Sequence, residues 1–277
     1  MIIDSIEKFT ALIPTAEGTD WAALEPFMKE AEAWAKTEFL GDDLFTHIAG
    51  LTDNTGLVLS VLLANKAYSL AIPYVDLIQT ANGFAVVQNS NQAPASQQRV
   101  DRLLQTTLAR IGVKMDMLIG MIEVDKALLD KWKLAAVFAK MTETVFWRPS
   151  DMVQLGGALP TANWDKLTQS YAAVIGFQTG ILADWISPVY MDELLAKRQS
   201  GTLSEEDKKV LRMIWHVVGL LISALNEQAE QALRLLVNYM ETNAASFSTY
   251  INSDIYAIKM AAHYQNKKAD STFFFGT

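Results

Sequence analysis

A strongly apolar helix is encoded by residues 52–73, which read TDNTGLVLSVLLANKAYSLAIP. The polar side chains of Thr52-Asp53-Asn54 can accept the backbone N–H groups that the first turn of a helix leaves unpaired, and Pro73 is expected to end the helix. Apolar residues occupy every side of the segment, which predicts a helix at the centre of a core. Asn65 and Lys66 interrupt the apolar run, so we do not expect it to span a bilayer.

Helical spacing continues on both sides of this segment. Before it, Asp20 caps an apolar pattern that reaches Leu40, where Gly41 supplies a left-handed stop. After it, Ser96 and Ser204 are good caps for two long apolar patterns. Further helices are expected over residues 42–49, 97–132, 164–185, 189–197, 208–239 and 247–264. The predicted fold class is therefore mainly α, a multi-helix bundle.

One β signal interrupts this helical pattern. The dipeptide Asn82-Gly83 tolerates the positive φ of a tight turn, and it separates the β-prone runs Tyr74–Gln79 and Phe84–Val87. The sequence therefore predicts a small β-hairpin near residues 74–88. Another β-prone run, Thr142–Trp147, fits a strand before Arg148-Pro149.

The two halves of the chain share an order of features. Each has Trp-x-x-Leu at the start of a helix, at Trp21 and at Trp164, followed by a short helix, a polar cap and a very apolar helix. The sequence predicts a helical half with the β-hairpin over residues 1–150 and a second helical half over 151–277, packed as one unit or as two closely associated domains. Helical proteins repeat such an order by chance, so an ancient duplication stays open.

Composition excludes several classes of function. The 277 residues contain no cysteine, which excludes a disulfide scaffold, thiolate catalysis and cysteine-ligated zinc or iron–sulfur centres. A net charge of −8 disfavours nucleic acid as a partner. The best basic cluster is interrupted by Asp101 and Asp116, and it is expected to be a solvated helix face; it consists of Arg99, Arg102, Arg110 and Lys114. The N-terminus lacks the basic start and apolar run of a signal peptide, so a soluble, cytoplasmic protein without a membrane partner is expected.

Few side chains are spaced for chemistry. None of His47, His216 and His263 follows an acidic residue by three positions, and no metalloprotease, nucleophile-elbow or phosphate-loop motif is present. His216 lies between apolar neighbours and is expected to be a hydrogen-bonded core histidine. The acidic groups at Asp42-Asp43 and Glu205-Glu206-Asp207 are expected to stabilise helix starts. We therefore expect no enzyme, no metal and no cofactor.

Two segments are candidates for contacts with other proteins. Three adjacent phenylalanines near the C-terminus cannot all bury on one side of a helix or strand, so they fill a groove of their own subunit or dock on another chain. The polar, irregular loop Gln88–Pro94 is the second candidate. The candidate interaction residues are Phe273, Phe274, Phe275, Asn89, Asn91 and Pro94.

Several segments together resemble a family of uncharacterised helical proteins that are encoded among phage-type structural genes of bacteria, close to contractile-tail components. The resemblance spans most of the chain, is sharpest over residues 73–103 and implies a setting rather than a mechanism. The segments that carry it are Trp21-x-x-Leu24, Ala31-Glu32-x-Trp34, Leu40-Gly41, Pro73-Tyr74-Val75-Asp76-Leu77, Asn82-Gly83-Phe84-Ala85-Val86-Val87, Asn91-x-Ala93-Pro94-Ala95-Ser96-x-x-Arg99-Val100-x-x-Leu103 and the tail at Phe273.

The function expected from these observations is that of a non-enzymatic structural subunit of a phage or phage-derived tail, neck or connector particle. It would act through protein–protein contacts with other structural subunits, and a homo-oligomer is left open. The alternative is a helical binding protein, or an enzyme of unfamiliar type, that encloses an apolar small molecule between its long helices. An enclosed apolar cavity that reaches His216 or His263 would favour this alternative.

Overall fold

The structure, a computed structural model, describes residues 2–16, 19–75, 78–80, 83–85, 96–148, 150–151 and 164–261. These residues are mainly helical, as predicted. The α-helices are α1 (Ile6–Leu12), α2 (Trp21–Trp34), α3 (Asp42–Ala49), α4 (Asn54–Val75), α5 (Gln97–Val124), α6 (Lys126–Lys133), α7 (Ala136–Met141), α8 (Trp164–Phe177), α9 (Ala183–Ile186), α10 (Pro188–Ser200), α11 (Glu205–Ile222), α12 (Asn226–Thr242), α13 (Ser248–Ile251) and α14 (Asp254–Ala261). Two π-helical turns, Ala35–Phe39 and Gln178–Leu182, extend α2 and α8.

The chain divides into two compact units. The first contains α1 to α7 together with Arg148 and Ser150, and the second contains Thr142–Trp147, Asp151 and α9 to α14. Helix α8 contributes its first residues to the first unit and the rest to the second. The boundary near residue 150 stays a prediction, because the chain on both sides of it contributes to both units.

Helix α4 forms the centre of the first unit, where it packs against α1, α2, α3 and α5. The Asp53 carboxylate accepts the backbone N–H groups of Thr55 and Gly56, at 2.8 and 3.1 Å, and so caps the helix as predicted. By length and composition α4 could cross a membrane, but 67% of its apolar window is buried inside the protein. Its buried apolar side chains are Val58, Leu59, Leu62, Leu63, Ala64, Ala67, Tyr68, Ala71 and Ile72.

The end of α4 differs from the prediction. The helix runs through Pro73 to Val75, so Pro73 does not end it and no strand begins at Tyr74. The ring of Tyr74 lies 5.4 Å from that of Phe27 on α2, and this contact holds the last turn in place. Two short strands follow, Ile78–Thr80 and Gly83–Ala85, which pair antiparallel. Because each of these strands has only three residues, they do not confirm the predicted hairpin over residues 74–88.

Helix α5 also ends earlier than expected. The sequence predicts a helix to residue 132, whereas α5 stops at Val124. The reason is Asp125, whose carboxylate accepts the backbone N–H groups of Ala127 and Leu128 and so begins α6. Trp132, at the end of α6, is fully buried and donates its indole N–H to the carbonyl of Phe39 at 3.0 Å.

Helices α11 and α12 form a helical hairpin in the second unit. Residues 223–225 connect them, and Ala224 has a positive φ of 57°, which the tight connection requires. Ser204 begins α11 with a capping box: its hydroxyl accepts the N–H of Asp207, and the Asp207 carboxylate accepts the N–H of Ser204. The facing apolar side chains are buried and include Val210, Ile214, Val217, Leu233, Leu236 and Met240.

Gly41, the residue before α3, gives a test of the packing in the first unit. It has a φ of 79°, and a Cβ placed there would lie 2.5 Å from the Cβ of Ala135. We therefore expect Gly41→Ala to lower the free energy of unfolding by about 2–4 kcal/mol, from backbone strain and overpacking. Urea unfolding followed by tryptophan fluorescence measures the change.

The matched control is Gly50→Ala at the other end of α3. Gly50 has a φ of −84°, and a Cβ there would make ordinary contacts no closer than 3.5 Å. We expect this variant to stay within about 1 kcal/mol of the native protein. Equal losses in the two variants would contradict the contact between Gly41 and Ala135.

Candidate functional site

The packing of α5 against α4 divides its surface into two faces. The inward face is apolar and buried, and its residues are Ile111, Met115, Leu118, Ile119 and Ile122. With about 100° of rotation per residue, the opposite face contains every third or fourth residue from 99 onwards. That outward face is the candidate functional site, and we call it the α5 face.

The α5 face is basic at one end and apolar at the other. Its basic half consists of Arg99, Arg102 and Arg110, which are exposed. Its apolar half consists of Val113, Met117 and Val124, of which Val113 is 51% and Val124 is 89% exposed. From Arg99 to Val124 the face is roughly 38 Å long, at 1.5 Å per residue. Large apolar side chains that share one exposed helix face are typical of a contact surface.

The acidic residues of α5 lie outside the basic half of this face, whereas Asp116, three residues after Val113, and Glu123, three residues after Gly120, lie at the edge of its apolar half. Asp101 lies roughly 160° around the helix from Arg99, and Asp116 roughly 100°. Asp116 accepts the backbone N–H of Ser150 at 3.1 Å. The three arginines therefore share one side of the helix without an acidic neighbour on it.

The apolar half of the α5 face contains a hollow of about 770 Å³. The hollow forms where Gly120 has no side chain, and it is lined by Met117, Met121 and Val124 together with the charged residues Asp125 and Lys126. A Cβ at Gly120 would lie 3.6 Å from the guanidinium of Arg148, which forms an ion pair with Glu123. Methionine side chains are flexible and polarisable, so this hollow suits an apolar or aromatic side chain of a partner.

The second unit contains a buried polar network centred on Arg198. Its guanidinium donates to the carbonyl of Val145 and to the carboxylate of Asp151, the latter at 2.7 Å. It also stacks on two indole rings, with its central carbon 4.5 Å from the ring of Trp147 and 5.3 Å from that of Trp215. The side chains of Arg198 and Asp151 are 7% and 4% exposed, so the ion pair is almost fully desolvated.

This network holds the segment Thr142–Trp147, for which the sequence predicts a strand. The segment forms turns and bends instead, because side chains satisfy its backbone groups in place of a neighbouring strand. Gln178 accepts the N–H of Val145 at 3.1 Å, and Trp215 donates its indole N–H to the Val145 carbonyl at 2.8 Å. Asp151 accepts the N–H of Trp147 at 2.9 Å.

Tyr171 is a further titratable group near this network. Burial raises the pKa of its hydroxyl above the usual range, and the negative charge of Asp151 adds to the effect. The hydroxyl therefore stays protonated at neutral pH.

The polar groups of the network around Arg198 bind one another, and the arrangement therefore stabilises a loop. It presents no nucleophile and base in contact with each other.

The histidines and carboxylates have ordinary surroundings. His216 is exposed, so the prediction of a core histidine is wrong: it lies on the outer side of α11, opposite the buried Ile214 and Val218. The acidic groups at Asp42-Asp43 and Glu205-Glu206-Asp207 do lie in first helical turns, as predicted. Within the described ranges, no group of three or more histidine, aspartate and glutamate side chains could hold a metal ion.

The residues that the sequence singled out for protein contacts lie outside the described part of the chain. They are Phe273, Phe274, Phe275, Asn89, Asn91 and Pro94, and His263 lies outside it as well. The α5 face was missed as a contact surface, although the spacing of Arg99, Arg102, Arg110, Val113 and Met117 carries the signal. The ion pair between Arg198 and Asp151 has no sequence signal, because the two residues are 47 positions apart.

A family model, described as a family of unknown function (DUF6712), matches residues 20–139 and 203–260, which together make up more than half of the chain. The matched ranges include all of α5, α11 and α12. No curated protein and no solved structure matches the chain.

The geometry of the buried network predicts the effect of a conservative change. Arg198→Lys keeps the positive charge, but a lysine cannot donate to Val145 and Asp151 as a fork while stacking on two indole rings. We expect the free energy of unfolding to fall by about 2–4 kcal/mol, as when a buried pair loses its geometry. Chemical denaturation measures it.

Arg234→Lys is the matched control in the same unit. Arg234 forms an exposed ion pair with Glu230, one helical turn away on α12. The same replacement there should change stability by no more than about 0.5 kcal/mol. A loss of unfolding free energy in Arg198→Lys no larger than that in Arg234→Lys would contradict a stabilising role of the hydrogen bonds and ring contacts of Arg198.

Proposed function

The chain belongs to the DUF6712 family of unknown function, and from that premise we propose that it is a non-enzymatic structural subunit that acts through protein–protein contacts. The setting that we propose is a phage or phage-derived tail, neck or connector particle, with the subunit made in the cytoplasm. The sequence resemblance to proteins encoded among phage-type structural genes supports this setting. The exposure of Val113, Met117 and Val124 on one face of α5 is the observation that carries the proposal.

The α5 face has the length of a protein interface. A standard interface covers about 800 Å² on each partner, which corresponds to a patch roughly 30 Å across. Burial of the parts of Val113, Met117 and Val124 that are still exposed would contribute about 3–5 kcal/mol, whereas association costs about 4–15 kcal/mol. The apolar half alone therefore gives weak binding, and a stable complex also needs the three arginines of the basic half.

The charge pattern of the α5 face indicates which partner it fits. Two copies paired in parallel would place Arg99, Arg102 and Arg110 against the same arginines, and antiparallel copies would place arginine against Val113 and Met117. Neither arrangement is complementary. We therefore assign this face to a different structural protein, with acidic residues opposite the basic half and apolar residues opposite the apolar half.

We propose no catalytic role for the buried polar network. The guanidinium of Arg198 binds Val145 and Asp151, so a substrate would first have to break those bonds. A protein that encloses an apolar small molecule is supported less well. The cavity that reaches His216 is an open groove of about 240 Å³, below the range of about 300–1,000 Å³ typical of such sites. The hollow on the α5 face is within that range, but it is open to solvent and does not enclose a ligand.

The proposal predicts the result of an assembly experiment. The protein should form a complex with a product of a neighbouring gene in size-exclusion chromatography with light scattering. Met117→Glu combined with Val124→Glu should weaken that complex at least about tenfold, because it places charges in an apolar contact. Both side chains are exposed, so the variant should fold normally.

Gln97→Glu is the matched control, since it adds a negative charge to an exposed position of α5 that lies roughly 160° around the helix from Arg99. It should leave the complex unchanged. A protein that stays monomeric with every neighbouring gene product would overturn the proposed function. A complex that tolerates the double variant would overturn the assignment of the α5 face.

A further inference from the structure

A second surface with a different chemistry lies on the hairpin of α11 and α12. An open groove of about 240 Å³ lies between the two helices. Its apolar floor is formed by Met213 on α11 and by Ala232 and Leu235 on α12. Leu235 is 64% exposed, so a large apolar side chain at the edge of the groove faces solvent.

The rim of the groove is entirely basic. Lys209, Arg212 and His216 are exposed on α11 and follow one another at intervals of three and four residues, so they share one side of the helix over roughly 10 Å. None of the six described residues that line the groove is acidic. In a protein with a net charge of −8, three positive or titratable groups without an acid between them form a distinct local field.

The acidic residues on either side of the rim in sequence lie outside the groove, and three of them form ion pairs elsewhere. The Asp207 carboxylate lies 3.3 Å from the ammonium of Lys197. Glu206 lies one turn before Lys209 but does not line the groove. The Glu205 carboxylate lies 2.7 Å from the ammonium of Lys208, and Glu230 lies 2.7 Å from the guanidinium of Arg234. Across the described part of the chain, the side chains of Arg212 and His216 form no hydrogen bond or ion pair. The guanidinium of Arg212 and the imidazole of His216 are therefore available to an external anion.

The rim is also held in place by packing. The ammonium of Lys209 lies 4.0 Å from the centre of the Tyr239 ring, a cation–π contact between α11 and α12. Tyr239 in turn packs edge-on against the buried Phe247 at 5.9 Å. A cation that is positioned before binding loses less conformational entropy when it meets a carboxylate.

From these observations we propose that the groove between α11 and α12 binds an acidic–apolar segment of a partner protein. One large apolar side chain of that segment lies on Met213, Ala232 and Leu235. Carboxylates on either side of it pair with Arg212 and Lys209, and the imidazole of His216 donates a hydrogen bond to one of them.

The size of the groove is the reason for choosing a protein segment. A volume of about 240 Å³ accommodates one or two side chains but is smaller than the usual site of a free small molecule. Its rim follows α11 for two turns, which matches the spacing of side chains along a bound helix or strand. Charge complementarity then selects segments in which aspartate or glutamate flanks phenylalanine, leucine or tryptophan.

Selection from a displayed library of random dodecapeptides tests the proposal on the full-length protein. We expect the selected peptides to combine aspartate or glutamate with a large apolar residue. Their affinity, measured by fluorescence polarisation with the synthetic peptides, should fall at least about tenfold in Arg212→Glu and in Lys209→Glu, and it should fall as salt concentration rises.

Arg234→Glu is the matched control, because it makes the same change of charge at an exposed arginine of α12 that pairs with Glu230 and does not line the groove. It should leave the affinity within about twofold. Leu235→Ala tests the apolar floor: Leu235 is exposed, so the variant should fold normally and should still lose about tenfold in affinity.

Three results would overturn the proposal: no selected peptide, peptides without acidic residues, or acidic peptides that bind Arg212→Glu as well as the native protein. The groove and the α5 face share no residue and belong to different units. Failure here would therefore leave the assembly result for Met117 and Val124 unaffected, and failure of that experiment would leave the groove unaffected.

Discussion

The burial of most of the apolar middle of α4, from Val58 to Ile72, is the constraint on which the first unit depends. A helix as apolar as α4 must be covered by its neighbours, and α1, α2, α3 and α5 provide that cover. Covering α4 fixes the rotation of α5 about its axis, because Ile111, Met115 and Leu118 must point inward. The outward side of α5 follows from the same constraint. The candidate contact surface is thus the solvent-facing side of α5, whose opposite side belongs to the core.

A different constraint acts in the second unit, where an irregular segment runs through the interior. Buried backbone groups need partners, and Thr142–Trp147 finds them in side chains rather than in a strand. Desolvating Arg198 and Asp151 is costly, and their mutual hydrogen bonds and the two stacked indole rings offset that cost. The groups of the network are bound to one another and are therefore not available to a ligand.

The two proposed contact surfaces differ in a way that suits an assembly subunit. The α5 face is long and separates its basic half from its apolar half along one helix. The groove between α11 and α12 is short and places basic groups around an apolar floor. Surfaces of different chemistry select different partners, since unpaired charges penalise the wrong one. A subunit with two such surfaces can join two neighbours, as the proposed function requires.

Local patterns were sufficient to predict the mainly α fold, the cap of α4 and the acidic first turns of α3 and α11, because caps and periodicity act over a few neighbouring residues. They were insufficient for the end of α4, where contact with Phe27 extends the helix beyond Pro73, and for Thr142–Trp147, where distant side chains replace a strand. The basic residues of α5 were recognised as a solvated helix face, but the exposed apolar residues that continue this face were not, and His216 was assigned to the core. Whether a helical residue faces its neighbours or the solvent depends on how the helices pack, and that packing joins side chains, such as Arg198 and Asp151, that are far apart in the chain.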